Sequence, residues 1–477
     1  MDHRFQGHKP DRGARPSFPI AHVLPAEALV VRRRRICNCG KNTTVTKQET
    51  PFREGLVRAI GRWSFAALTV NCIIGSGVFG LPSALAQKAG RASIVGVLLA
   101  GVAVGIIMAC FAEVASRFTD TGGPYLYARD AFGRFMGIQV AWLVWFVRLT
   151  ACAANANLFV TYLGVFWSQA TQPLPKIITL TLLIGLLAAI NLLGVRAGTL
   201  VSTTFTIAKL ASLGVVCAAG TWYLFFVHRA RGADIPSPPA DSWLQAVALL
   251  IFAYGGFEAA LISTGEARDP RRDVPFGLFV ALVTCTLVYG VIQWVVVGVL
   301  PDPAHSTRPL ADVAAIVLGR GGAGLIATGA LFSIYGYLSG NILATPRITF
   351  ALAERGEFPR VFARVHHRFR TPYFSILVFA LLVWLLALLG NFTWNVTLSA
   401  GSRLFYYGVV CAALPALRRK QGPAPFRLPG GTLLAVLGMA ICAGLLTKID
   451  YSKSAILLAA VAVAFVNWLL VRRQIVF

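Results

Sequence analysis

Two short interruptions and a few charges inside apolar runs are where this chain could do chemistry. The string Cys72-Ile73-Ile74-Gly75-Ser76-Gly77-Val78-Phe79-Gly80-Leu81-Pro82 sets two glycines around a serine within a hydrophobic run from about 59 to 86. A second break, Phe252-Ala253-Tyr254-Gly255-Gly256-Phe257-Glu258, follows about 180 residues later. Glycines remove side-chain contacts and make non-helical backbone cheaper. A helix that stops and restarts frees amide N–H groups at its second start and carbonyls at its first end, and the macrodipole adds partial charge of matching sign. A carboxylate would therefore sit against the amides of Ser76 and Gly77, with Ile74 and Gly75 beside it. Carbonyls around Ile73, Phe252, Ala253 and Gly255 would take an ammonium. The competing expectation is that these glycines only allow close helix approach.

Lys209 lies in the middle of Thr206-Ile207-Ala208-Lys209-Leu210-Ala211-Ser212. A charged side chain at the centre of a membrane span costs about 3 kcal/mol on translocon scales, so it must face an interior and find partners. It either exchanges a proton or acts as a permanent strut to carbonyls of the first run. Glu258, after the second break, is either a proton site or a hydrogen-bonded carboxylate. Arg148 and Arg403, also inside apolar runs, could pair with Glu258, line a vestibule or snorkel. Glu113 and Arg117 close the second run and read as structural or gate-closing. Ser333, Tyr337 and Asn341 share helical spacing and either line a site or pack against neighbours. All seven histidines lie in tails or loops, and the nine cysteines form no CxxC pair. Neither a zinc site, a disulfide framework nor a metal or cofactor is expected. The apolar runs hold no His/Asp/Glu constellation, which argues against an enzyme.

The elements that must position these residues are membrane helices. Of 477 residues, 56% are hydrophobic and 13% charged, with mean hydropathy +0.68. A soluble domain carries roughly 25% charged residues. The apolar runs are about 20 residues long, the length of a spanning helix, against about 10 for a barrel strand. Hydropathy predicts twelve spans, near 59–87, 93–117, 132–168, 177–194, 198–227, 242–264, 275–300, 322–350, 372–389, 395–417, 432–448 and 453–471. Net charge is +25, from 44 basic and 19 acidic residues. Of the basic residues, 32 fall before the first span or in the loops sharing its side and 9 in the opposite loops. That bias puts both termini in the cytoplasm and explains the charge without nucleic acid. His228-Arg229-Ala230-Arg231, Lys88 and Arg91 fall on the sparse side. Residues 1–57 form a basic, proline-dotted tail without the h-region of a signal peptide. Its Arg32–Arg35 cluster could meet anionic lipid, belong to a solvated tail, or precede the true start. Cys37 and Cys39 in the tail could bind metal or carry lipid, but a plain tail is the simpler expectation.

Both breaks open a five-span unit, at spans 1 and 6. An odd repeat length inverts the second copy, and paired interrupted helices point to a binding site near mid-membrane. The expected organisation is a tail over 1–57, a first five-helix repeat over 58–228, a second over 229–420, and two added helices over 421–477.

Four ordered strings make a specific resemblance. Ile74-Gly75-Ser76-Gly77-Val78-Phe79 resembles the span-1 signature of the amino acid–polyamine–organocation (APC) superfamily. The stretch from Phe111-Ala112-Glu113 through Gly122-Gly123-Pro124-Tyr125-Leu126-Tyr127-Ala128-Arg129-Asp130-Ala131-Phe132-Gly133 is similar to its span-2 exit. Phe252 to Glu258, continued by Glu266-Ala267-Arg268-Asp269-Pro270, resembles its span 6, and Pro346-Arg347-Ile348 through Glu357-Phe358-Pro359 its span-8 exit. Together they cover roughly 60–420. The resemblance implies an all-α integral membrane protein of about twelve transmembrane helices, with a LeuT-like 5+5 inverted repeat and broken helices 1 and 6. It implies secondary active transport of an amino acid across a plasma or inner membrane by alternating access, proton-coupled or exchanging, with no cofactor. Substrate-binding positions would be Ile73, Ile74, Gly75, Ser76, Gly77, Phe252, Ala253, Tyr254, Gly255 and Gly256, with Phe252 as an aromatic gate. Tyr254 and Phe257 would be neighbours rather than gates. Lys209 would occupy the place that sodium takes in sodium-coupled relatives, and Glu258 an acidic position linked to pH response. A polyamine or amine exchanger and a non-transporting amino-acid sensor are the alternatives. The former is weakened by Glu258 being the one nearby carboxylate, and the latter by the absence of a signalling domain. Partners would be the amino acid, protons and the bilayer, and not nucleic acid.

Overall fold

Glycine and proline, more than hydrophobic periodicity, set where the helices of this chain begin and end. The computed structural model describes residues 60–118, 122–194, 199–227 and 239–472. The basic tail with Arg32–Arg35, Cys37 and Cys39, and the loop residues His228, Arg229 and Arg231, lie outside them.

The first apolar run is two helices, α1 (Arg62–Ile73) and α2 (Gly77–Ala89), parted by Ile74, Gly75 and Ser76. There follow α3 (Ser93–Ser116), the short α4 (Pro124–Phe132), α5 (Arg134–Leu163), α6 (Pro173–Leu193) and α7 (Thr199–Phe226). The second interrupted run is α8 (Ala240–Tyr254) and α9 (Phe257–Ala260), continued by a 3₁₀ turn over Leu261–Glu266. Then come α10 (Pro270–Val299), α11 (Pro309–Glu354), α12 (Tyr373–Leu389), α13 (Phe392–Gln421), α14 (Gly431–Leu446) and α15 (Tyr451–Val471). Prolines open α4, α6, α10 and α11 at the first position, where a missing N–H costs nothing. Gly319, at φ 74°, breaks α11 into a short leading helix and a long one; the hydropathy limits had placed only the long one. Among the described residues nine helical stretches are long and apolar enough to cross a membrane, and α12 and α14 are shorter apolar helices.

Outward faces carry apolar side chains in the open: Leu182 on α6, Phe279 on α10 and Leu433 on α14 are each about two-thirds exposed or more. Apolar surface on this scale is stable only in an apolar solvent, so the chain is a membrane protein. Inside, α5 packs along α13, α1 along α10, α7 along α11 and α2 against α8, so the two interrupted runs lie at the centre of the bundle.

Polar clamps tie one end of the bundle. The buried Glu113 of α3 accepts from Arg418 Nε (2.7 Å) and Nη2 (2.6 Å), from the Leu428 amide (2.9 Å) and from Arg117 Nη2 (3.4 Å). Both oxygens are thereby filled, and the carboxylate ties α3 to α13. Beside it, the Tyr125 hydroxyl donates to Glu357, which pairs with Arg129 at 3.1 Å. Burial and that carboxylate push the Tyr125 hydroxyl up to about 12.

Candidate functional site

The two interruptions differ in how they leave the helix. Ile74 turns out of α1 at φ −69°, ψ 94°, while its amide still donates to Val70 O at 2.9 Å. Ser76 returns to helical dihedrals, and its carbonyl accepts from the amides of Phe79 and Gly80, both at 3.1 Å. Among the described residues no backbone carbonyl accepts from the amides of Gly75, Ser76 or Gly77. In the second break Gly255 is extended and Gly256 sits at φ +120°, a conformation L side chains rarely adopt. The Gly256 amide donates to Glu258 Oε2 at 2.8 Å.

Glycine is required here because the breaks touch. A Cβ on Gly256 would lie 2.2 Å from the Cys72 carbonyl oxygen, and one on Gly77 would lie 3.0 Å from Ala253 Cα. A Cβ on Gly255 would fall 1.2 Å from Arg403 Nη1, so this guanidinium rests directly on the second break. The Tyr289 hydroxyl of α10 lies between the two half-helix ends, within hydrogen-bond distance of Ala253 O (2.9 Å) and Ile73 O (3.2 Å), and its single hydrogen is shared between them. Those two carbonyls, the ones expected to take an ammonium, belong to residues that line the cavity and share that one donor. Phe252 O also accepts, from the Gly255 amide at 3.3 Å. Sequence gives no sign that Tyr289, on another helix, reaches the breaks.

A cavity of about 480 Å³ opens between the breaks, walled by α1, α2, α5, α7, α8, α11 and α13. That volume suits a small molecule. Ile73, Ile74, Gly75, Ser76, Gly77, Phe252, Ala253, Gly255, Gly256, Lys209 and Glu258 all line it. Tyr254 does not. It is fully buried away from the cavity, where its hydroxyl donates to Val97 O (3.1 Å) and is hydrogen-bonded with the Thr286 hydroxyl (3.0 Å). One residue along a helix turns the side chain by about 100°, enough to carry it from cavity to helix contact. Phe252 is buried at the rim, its ring edge-on to Phe392 with centroids 6.4 Å apart.

Four charged groups wall the cavity. Lys209, 7% exposed, donates to Ile74 O (2.7 Å), Asn71 Oδ1 (2.7 Å) and Asn71 O (3.1 Å). Those acceptors use all three ammonium hydrogens. Glu258 accepts from Tyr406 (2.9 Å), Tyr407 (3.0 Å) and the Gly256 amide. Arg403 Nη1 is 3.5 Å from Glu258 Oε1, close enough for charge pairing but not aligned as a hydrogen bond. Its guanidinium also stands 5.8 Å from the centroid of the Phe252 ring. Arg148 donates through Nη1 to Asn341 Oδ1 at 2.9 Å. Ser333, Tyr337 and Asn341 line the cavity from α11, the site alternative of the two that sequence left open.

Several residues of this site carried no signal as such. Asn71, one polar residue before the first break, anchors Lys209, and its place beside the interruption could have marked it. Tyr406 and Tyr407 follow Arg403 by three and four positions on α13, the spacing of one helical face, and their hydroxyls hold Glu258. Tyr289 is one aromatic among many in an apolar run.

The profile of the amino acid permease family matches residues 60–469. The chain belongs to the amino acid permease family. Among characterised relatives, it is 25% identical to the methylthioribose transporter of Bacillus subtilis over 82% of this chain and 88% of that one. It is 27% identical to the serine/threonine exchanger SteT of the same organism, over 71% and 78% of the two chains. It is also 27% identical to cationic amino acid transporter 4 of Mus musculus, over 85% and 66%. The family and these relatives are transporters rather than enzymes. Within a permease of this family, the cavity between the two broken runs is the place where backbone N–H groups, a carboxylate and two guanidiniums converge.

Proposed function

We propose that this permease is a secondary active transporter that carries an amino acid through the cavity between the two broken runs by alternating access. The observation that carries the proposal is the set of amides at Gly75, Ser76 and Gly77 that no backbone carbonyl takes among the described residues, on residues that line the cavity at the start of α2. They form a seat for the α-carboxylate, strengthened by the helix dipole. The Gly255 carbonyl and the Glu258 side chain, across the cavity, are the groups left for the α-ammonium. Phe252 closes the site from above as an aromatic gate.

The helix order fits a 5+5 inverted repeat in which α1 with α2 and α8 with α9 open the two halves, followed by two added helices, α14 and α15. In this reading both termini are cytoplasmic and the chain spans the plasma or inner membrane twelve times. Movement is proton-coupled or exchanging, with Lys209 standing where sodium would otherwise join the first broken helix to its neighbours. Its three contacts with Asn71 and Ile74 support that place. Glu258 is the second coupling group, at the heart of the site. A polyamine exchanger would need several carboxylates along the cavity, and Glu258 is the one carboxylate among the described residues that line it.

The test is uptake of a panel of labelled amino acids into proteoliposomes, with and without a pH gradient and with empty or preloaded vesicles. Accumulation only into preloaded vesicles identifies exchange; accumulation driven by the gradient identifies proton coupling. Failure of every amino acid to enter under both conditions defeats the proposal.

A further inference from the structure

We infer that the amino acid this cavity takes carries a second carboxylate on its side chain, seated against the guanidiniums of Arg148 and Arg403. The inference rests on the transport reading above and narrows its substrate to the dicarboxylic class. It begins with hydrogen bonds left unmade. Arg403 is 6% exposed, yet its Nε and Nη1 have no hydrogen-bond partner among the described residues, and neither has Arg148 Nε. Buried donors left without acceptors cost free energy comparable to a lost hydrogen bond, and more for a charged group. Such groups on the wall of a cavity ask for an occupant rich in acceptors.

The other charges on the wall do not compete for that role. Lys209 has spent its three hydrogens on Asn71 and Ile74. Glu258 is the one carboxylate lining the cavity, and it accepts from two tyrosines and an amide. Pairing Arg403 with Glu258 neutralises one cation and still leaves the wall positive. The two arginines line the cavity from α5 and α13, helices that pack along one another. Guanidiniums are suited to planar carboxylates because their N–H groups form a fork that matches two oxygens. The α-carboxylate already has a seat at the amides of Ser76 and Gly77, so the N–H groups the arginines have left over are available to a second one. A substrate with a cationic side chain would instead meet like charge in a low-dielectric site, which disfavours it strongly.

The test is binding to the full chain in nanodiscs at neutral pH, by isothermal titration with L-glutamate, L-aspartate, L-glutamine, L-asparagine, L-alanine and L-lysine. A dicarboxylic amino acid binding about tenfold or more tightly than its own amide is expected, with lysine weakest. In Arg148→Gln the acid-to-amide ratio is expected to fall to about threefold or less. An amide bound as tightly as its acid, or lysine bound more tightly than either, overturns the inference and leaves amino acid transport standing. No binding by any of the six overturns the transport reading with it. The wild-type ratio decides the substrate class even if Arg148→Gln does not fold, and Arg148→Lys, which keeps the charge and loses the fork, then supplies the positional readout through an intermediate ratio.

Discussion

Replacing Lys209 by Met keeps the stem of the side chain and removes only the ammonium. In the wild type that ammonium donates to three oxygens of the first broken run, at 2.7, 2.7 and 3.1 Å. Hydrogen bonds from a charged donor are worth about 1.5–3 kcal/mol each. Against their loss stands the recovery of the ammonium's burial cost, about 3 kcal/mol at mid-membrane on translocon scales. The balance still favours the lysine, by about 1.5–6 kcal/mol, because the buried Ile74 O and the part-buried oxygens of Asn71 lose their donor. The loss should fall on the junction between α1 and α2, since that is where Ile74 turns out of the helix. Thermal unfolding of detergent-solubilised protein, followed by intrinsic fluorescence, should show a clearly lowered Tm for Lys209→Met. Proteoliposomes carrying the folded fraction should lose their response to a pH gradient. An unchanged Tm would refute the view that Lys209 braces the break. An unchanged pH response in Lys209→Ala would leave it as a strut and remove it from coupling.

Other substitutions probe the remaining contacts. Gly256→Ala forces a Cβ to within 2.2 Å of the Cys72 carbonyl oxygen at φ +120°, and should cost about 2–4 kcal/mol by Tm; Gly75→Ala meets nothing closer than 3.9 Å and should change stability by no more than about 0.5 kcal/mol. Phe252→Ala removes the ring at the rim of the cavity and should raise the KM for uptake and the rate of substrate leak from preloaded vesicles. Glu113→Gln strips the buried partner from Arg418 and Arg117, and should cost about 3–5 kcal/mol, read as a lower Tm with reduced transport.

Much of this architecture was written in the order of glycines, prolines and apolar runs. The break at Gly75-Ser76-Gly77 was legible because two glycines in an apolar run of about 28 residues either interrupt the helix or admit a close neighbour, and here they do both. Gly255-Gly256 was legible as its partner, since the same anomaly recurred in a corresponding segment. Lys209 stood out because a buried ammonium must be paired, and the structure supplies acceptors on the first run. What sequence could not supply were contacts between distant helices. The pairing of Arg403 with Glu258 spans 145 positions, and nothing local distinguishes it from snorkelling. Tyr289 reaches both breaks only because α10 packs along α1. Tyr254 was misplaced for a rotational reason: once a helix resumes regular dihedrals, neighbouring residues face different ways, and its exact end decides which of them sees the cavity.

The central claim is that the two breaks, with the Glu258 side chain beside the second, hold an amino acid by both of its charged ends. Counterflow into proteoliposomes preloaded with a transported amino acid tests it most directly, using the labelled amino acid with three unlabelled competitors: the amino acid itself, its decarboxylated amine and its α-keto acid. The account predicts competition by the intact amino acid and none by either analogue lacking one end. Equal competition by the amine would show that no carboxylate is held at the amides of Ser76 and Gly77, and would contradict it.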